Sequence, residues 1–239
     1  MQLPLALLGC APAWTQEAGA FEDSIGQPYE LLAGCQAALT LDGLDLARYE
    51  YDDDGFIHEA ELFYEDAWQA WYTGTVDFDD LGRPTLEERS NEGETWTLTT
   101  TWEPDSWRRS STVERTEYAR SDGEVSIDQV TRVFTWTEGG VEVEGEELYN
   151  SGAVGEDYIE PYTEQIELAE GTRPARVDRE WEEIGATRAW TYTWHQGRRT
   201  LDLYEEQPYW VERSFDEDGR MSWNLDQDGL RNDWTWSCP

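Results

Sequence analysis

Glu50, Asp52, Asp54, Gly55, Ile57 and Glu61 have the spacing of a calcium-binding loop, with oxygens at loop positions 1, 3, 5 and 12, glycine at 6 and an apolar residue at 8. Hard carboxylate oxygens at that spacing suit calcium. Position 1 holds Glu where Asp is usual, and its longer side chain crowds the ion. The preceding TLDGLDLARY contains Gly43 and does not read as an entering helix. The same residues are equally explained as a hairpin turn, because Asp bonds its own backbone in turns and Gly supplies positive φ. Asn224, Asp226, Asp228 and Asp233 form a second acidic group, without a Glu to close it.

Other chemistry finds less support. Among 53 Asp and Glu, some pair always stands at the separation a glycosidase needs, so a carboxylate pair carries no signal. His58 and His195 are the two imidazoles, and a Ser nucleophile would need one of them as base. There is no GxSxG; Ser110 and Ser111 stand among charges, and His195 follows Trp194 in a WHQG turn. P-loop, GxGxxG and HExxH signatures are absent as well. The expectation is a protein that is not an enzyme, with no cofactor beyond calcium. Alternation puts most Trp on one face, as a core requires; the less easily buried ring pairs, Trp102/Trp107 and Trp68/Trp71, are the groups a glycan or protein partner would use.

The composition narrows the partners further. The chain has 239 residues and a net charge of −36, and its 17 basic residues are all Arg. Nucleic-acid binding needs clustered Arg or Lys to release counterions, and Arg108–Arg109 and Arg198–Arg199 are isolated pairs among acids. Anionic headgroups repel such a surface. The 14 Trp and 12 Tyr bury large areas per residue. They argue for an ordered protein with an acidic surface rather than a disordered chain.

Leu7-Leu8-Gly9-Cys10 resembles a bacterial lipobox. The resemblance implies cleavage before Cys10, acyl chains on its sulfur, and an anchor in the cell envelope. It departs from the pattern in having no Lys or Arg before the apolar run. Ala11, in place of an Asp, leans towards the outer membrane. If Cys10 is lipidated, Cys35 and Cys238 remain, and export places them where disulfides persist. A Cys35–Cys238 bond would close a loop of about 200 residues, worth up to ~5 kcal/mol. Two buried free thiols are the alternative.

One turn signature recurs, at Tyr51–Phe56, Phe78–Arg83, Phe215–Arg220 and Leu225–Leu230, with weaker copies at Trp136–Gly140 and Trp181–Gly185. A large apolar residue stands four places before a Gly, with acids between. The flanks alternate as half-buried strands do: Trp96, Leu98, Thr100 and Trp102 share a face, as do Trp190, Tyr192 and Trp194, then Val211, Arg213 and Phe215, then Met221, Trp223 and Leu225, then Trp234, Trp236 and Cys238. RYEYDDDGFI, VDFDDLGRPTLEER and VERSFDEDGRMSW resemble the YD repeats of Rhs-type bacterial surface proteins, a family built of consecutive hairpins. That resemblance implies a hairpin sheet and says little about activity.

The expected architecture is all-β: consecutive antiparallel hairpins forming a curled sheet, barrel-like or a sandwich. Residues 1–9 read as a signal remnant, 10–27 as a flexible tether and 28–239 as the β-domain. Within it, 30–39 reads as a short helix, 58–72 as a helix or irregular hairpin, and 149–171 as a long loop or weak boundary. The expected function is a non-enzymatic, lipid-anchored envelope protein with a binding or structural role. A calcium-dependent adhesion module is the first alternative and a carboxylate-pair hydrolase the second.

Overall fold

The computed structural model describes residues 29–119, 125–150, 158–169, 173–181, 184–205 and 209–239. Cys10 and the tether lie outside them. Among the described residues sixteen strands join in sequence order, each antiparallel to the next, and β16 pairs with β1 to close a barrel. They are β1 (Gln36–Leu41), β2 (Leu44–Tyr51), β3 (Ile57–Tyr64), β4 (Ala67–Phe78), β5 (Pro84–Ser90), β6 (Glu94–Trp102), β7 (Arg109–Ala119) and β8 (Val125–Trp136). The circuit continues through β9 (Gly140–Asn150), β10 (Tyr158–Leu168), β11 (Pro174–Trp181), β12 (Ala186–His195), β13 (Arg198–Tyr204), β14 (Tyr209–Phe215), β15 (Met221–Asp226) and β16 (Arg231–Ser237). A single 3-10 turn, Tyr29–Leu31, precedes β1.

The all-β hairpin expectation therefore holds, in its barrel form and not as a sandwich. The helix expected over 30–39 is replaced by strand from 36 onward, and 58–72 takes its hairpin form, with a register shift between Ala60 and Glu61. Residues 36–41 are β1, and 57–64 with 67–78 are β3 and β4. Their β-branched and aromatic residues pair with neighbours on a pleated surface, which overrides local helix propensity. The expected loop over 149–171 contains β10, whose inward Glu160, Tyr162, Glu164 and Ile166 alternate with outward residues in spite of the acids.

The recurring Asp turns are hairpin corners. Asp52 Oδ1 accepts the N–H groups of Asp54 and Phe56 at 3.0 and 2.9 Å, and Asp79 Oδ1 those of Leu81 and Arg83 at 2.9 Å each. Asp226 repeats the pattern with Asp228 and Leu230, while Asp216 accepts from Arg220. Gly55, Gly82, Gly219 and Gly229 all hold positive φ in these turns, where L-residues are strained.

The corners at Asp52, Asp79 and Asp216 stand at the barrel end that also carries Cys35 and Cys238. Large side chains close that end. Trp102 and Trp136 finish β6 and β8, and Trp194 and Trp236 stand one residue before the ends of β12 and β16. Each donates its indole N–H to the first residue of the preceding strand: Pro84 O at 2.9 Å, Arg109 O at 2.8 Å, Pro174 O at 2.7 Å and Met221 O at 2.8 Å. Buried Arg83, Arg109, Arg173 and Arg199 stand at the same level. Their guanidinium groups lie about 5 Å from the rings of Trp102, Trp194 and Tyr192, an attraction of cation for ring face. Towards the opposite end the inward side chains become half-buried and then exposed, as Trp96, Asp128, Tyr149 and Arg188 show.

Alternation correctly assigns the inward faces of β6, β12, β14 and β16. It fails on β15. Phe215 pairs with Met221 and Ser214 with Trp223, so a bulge turns Trp223 and Leu225 outward while Met221 stays in. One inserted residue flips every later side chain to the other face.

Cys35 and Cys238 are joined, as expected, across 203 residues. The bond sits beside the β1–β16 ladder, where Gln36 pairs with Ser237. We expect the Cys35→Ser/Cys238→Ser variant to lose about 2–5 kcal/mol in urea unfolding. Near-native near-ultraviolet dichroism at low denaturant would show that the barrel still closes.

Candidate ligand-binding interior

The inner wall of β7–β11 concentrates polar chemistry that strand alternation alone cannot foresee. One row of directly paired inward residues runs Thr112, Arg132, Gly145, Tyr162, Trp181. Gly145 is required there. A Cβ on it would stand 2.1 Å from Tyr162 Cζ and 2.5 Å from its oxygen, so the absent side chain is the space the phenol occupies. Tyr162 is 2% exposed.

Arg179 organises the wall. Its Nε lies 2.7 Å from Glu164 Oε1 and its Nη1 2.8 Å from Glu147 Oε1. The guanidinium sits 4.2 Å from the Tyr162 ring centre and 5.2 and 5.4 Å from those of Trp181 and Trp190. Arg132 reaches Glu114 Oε2 at 3.4 Å, and Trp96 donates its indole N–H to the other oxygen of Glu114 at 3.1 Å. On the neighbouring wall Asp202 accepts from Arg213 at 2.8 Å and lies 3.0 Å from Arg199 Nε. Charges removed from water persist only when paired and hydrogen-bonded in this way.

Not every polar atom here has a partner. Glu160 Oε1, the Tyr162 hydroxyl and Thr112 Oγ1 are buried without a hydrogen-bond partner. Such atoms are costly and mark sites where water or a ligand completes the pairing. The Tyr149 hydroxyl donates to Glu147 Oε2 at 2.9 Å. Burial first, and then this bond, push its pKa up to about 12, so it stays a donor at neutral pH. Burial also raises Glu87, against the pull of Arg89 and Arg109.

The outer wall is different. Glu142, Glu144 and Glu146 point outward in succession along β9 and are exposed. Thr99 and Thr101 do so on β6, and Gln165 and Glu167 on β10. A barrel that spans a bilayer carries an outward apolar band roughly 25 Å tall. Here the outward residues of β6, β9 and β10 at mid-height are largely acids and hydroxyls, and most rings face in, while Trp68 and Trp223 lie outward and Val133 and Leu203 are exposed.

The residues of the calcium spacing are not gathered into a helix–loop–helix site. Glu50 and Glu61 lie on the outer faces of β2 and β3, opposite Glu59 and Arg48. Asp52 is occupied with its turn, and Asp54 is exposed at the tip. Glu50 accepts from Gln36 Nε2 at 2.9 Å. Among the described residues the group whose ligand atoms come within 4.8 Å of one another is Glu50, His58 and Glu59. His58 is thus nearer to Glu50 than its place in the spacing suggests, because the β2–β3 hairpin folds 58 and 59 back. The second acidic group is dispersed: Asn224 faces in, Asp226 holds its turn, Asp228 is exposed and Asp233 pairs outward with Arg231 at 2.7 Å.

His195 is exposed at the end of β12, and Ser110 and Ser111 lie within β7. Trp102 is buried against Trp107 at 6.3 Å. Trp68 is covered by Arg48 at 3.8 Å and Phe63 at 5.2 Å on the outer wall. The sequence signal for the interior was present but unread: Gly145 is a lone glycine inside the alternating VEVEGEEL, a sign of close approach in a strand.

No protein-family model matches the chain, and no curated protein matches it. Among solved structures it is similar to a porin-like protein from Bacteroides uniformis ATCC 8492, at 10% identity and a TM-score of 0.31, over 86% of this chain and 96% of that one.

Two outcomes follow from the wall. Gly145→Ala should cost about 1–3 kcal/mol in chemical denaturation, because the ring of Tyr162 cannot give way cheaply. Glu87→Gln should stabilise. With a raised folded pKa, the ionised Glu87 subtracts stability above its unfolded pKa of roughly 4.3, and this penalty disappears once both states are protonated. Melting curves should therefore show the variant above wild type at pH 7 and level with it below about pH 4.

Proposed function

We propose that this chain is a non-enzymatic binding protein of the bacterial cell envelope, held to a membrane by acyl chains on Cys10, with its barrel standing in water. The observation that carries this reading is the polarity of the wall. Outward rows of Glu, Thr and Gln suit water, while aromatic rings and paired charges line the inside with buried polar atoms left to complete. A bilayer-spanning strand has the opposite arrangement. The acid-rich exterior is kept off anionic headgroups by repulsion, so an anchor at the end of a tether is the attachment that fits it. Two or more acyl chains give stable anchoring. Residues 10–27 are long enough, as a flexible segment, to hold the barrel clear of the surface. The outer membrane is the assignment that Ala11 favours.

The test separates anchoring from insertion. The full chain and its Cys10→Ala variant are exported in a bacterial host, and membranes are washed with alkaline carbonate. Wild type should stay in the pellet with an intact mass showing acyl groups on Cys10. The variant should appear in the soluble fraction with an unchanged far-ultraviolet spectrum. A Cys10→Ala protein that resists carbonate would overturn the reading, since the barrel itself would then be in the bilayer.

A further inference from the structure

We infer that the half-open end of the barrel holds a site for a small organic cation on the inner wall of β9 and β10, with Glu160 as its counter-ion. This rests on the reading of the barrel as a binding protein and specifies what it binds. The two strands place three inward pairs one above another: Tyr149 with Tyr158 at the rim, Glu147 with Glu160 beneath, then Gly145 with Tyr162.

The two carboxylates of the middle pair are not equivalent. Glu147 is fully engaged, one oxygen with Arg179 and the other with the Tyr149 hydroxyl. Glu160 stands directly opposite, 8% exposed, and its Oε1 has no partner. Like charges facing across a ladder repel, and a buried ionised oxygen without a donor is costly. Among the described residues Glu114, Glu147 and Glu164 stand around it with Arg132 and Arg179, both already paired to those acids, while Arg188, opposite Arg179 on β12, lies over the Trp181 ring. Glu160 Oε1 is the carboxylate oxygen of this group left buried without a donor.

The surroundings select the kind of cation. Metal ions need several donors at short range. Among the described residues the group with ligand atoms within 4.8 Å of one another is Glu50, His58 and Glu59, on the outer wall. At the rim Tyr149 and Tyr158 are 44% and 48% exposed and share the inward face with Glu160. Their ring faces attract an ammonium group, and the bond to Glu147 fixes the Tyr149 hydroxyl. One carboxylate below two phenol rings is a receptor for a protonated amine or quaternary ammonium.

Isothermal titration of the folded protein with choline and with cadaverine, at 0.3 M sodium chloride to suppress surface binding, tests this. Saturable 1:1 binding of at least one probe is expected. Glu160→Gln should weaken it by about ten-fold or more, as loss of a buried counter-ion does. Tyr158→Leu should weaken it several-fold through the ring. Glu144→Gln, on the outer face of β9, should leave it unchanged. Glu160→Gln should melt no lower than wild type, which shows that the lost affinity is not unfolding. Absence of saturable heat with both probes, equal weakening by Glu144→Gln, or stronger competition by calcium than by sodium would each overturn the site. None of these touches the carbonate test of Cys10, so the two readings fail separately.

Discussion

The ladder between β1 and β16 is the contact that makes a single sheet into a barrel. Six residue pairs, from Gln36 with Ser237 to Leu41 with Asn232, close the circuit. Without them two strands would present unpaired N–H and C=O groups at an edge, which invites association with other chains. The seam is reinforced in three ways. Tyr49 stacks on Trp234 at 5.5 Å, Tyr51 meets Trp236 at 5.6 Å, and Cys35 is bonded to Cys238. Arg220 also donates to Leu31 O at 3.1 Å and ties the entering segment to the β14–β15 corner. Each link joins residues nearly the whole chain apart. Such contacts are entropically costly to form, and a disulfide lowers that cost in the unfolded chain.

Closure creates an inside, and the inside is where the Arg residues matter. Charge is distributed by face. Arg89, Arg132, Arg179, Arg199 and Arg213 face inward among acids and rings, while Arg83, Arg109 and Arg173 hold the disulfide end. The outer wall keeps a large share of the acids. The interior can therefore tolerate ionised groups, and the exterior carries a strongly anionic surface. Arg suits this work better than Lys, because its planar fork bridges two carboxylates while its face lies on a ring. Arg179 does both, between Glu147 and Glu164 and over Tyr162.

The gradient of burial along the barrel gives the interior a direction. One end carries Trp102, Trp136, Trp194 and Trp236, each tied by its N–H to a neighbouring carbonyl. At the other end Tyr149, Tyr158 and Arg188 are exposed. From that side the inner wall of β9 and β10 presents rings first, then carboxylates. That order suits a cation whose charge is attracted over distance and desolvated only at the end of its path.

Much of the fold was legible from the residues. Asp and Gly at fixed offsets specify corners, because only local backbone bonding and positive φ are involved, and alternation of Trp, Tyr and Thr specifies which face turns in. Two cysteines left after Cys10 suggested their own pairing. The helix expected over 30–39 failed, and 58–72 resolved to its hairpin alternative, since local preference is overridden by cross-strand neighbours that the sequence does not reveal. The closure of β1 on β16, the bulge that turns Trp223 outward, and the meeting of Glu147 with Glu160 all depend on register between strands. A shift of one residue would send each of those side chains to the other face, and only the assembled sheet sets that register. For the same reason the spacing Glu50, Asp52, Asp54, Glu61 is a property of the chain, whereas the approach of Glu50 to His58 belongs to the hairpin.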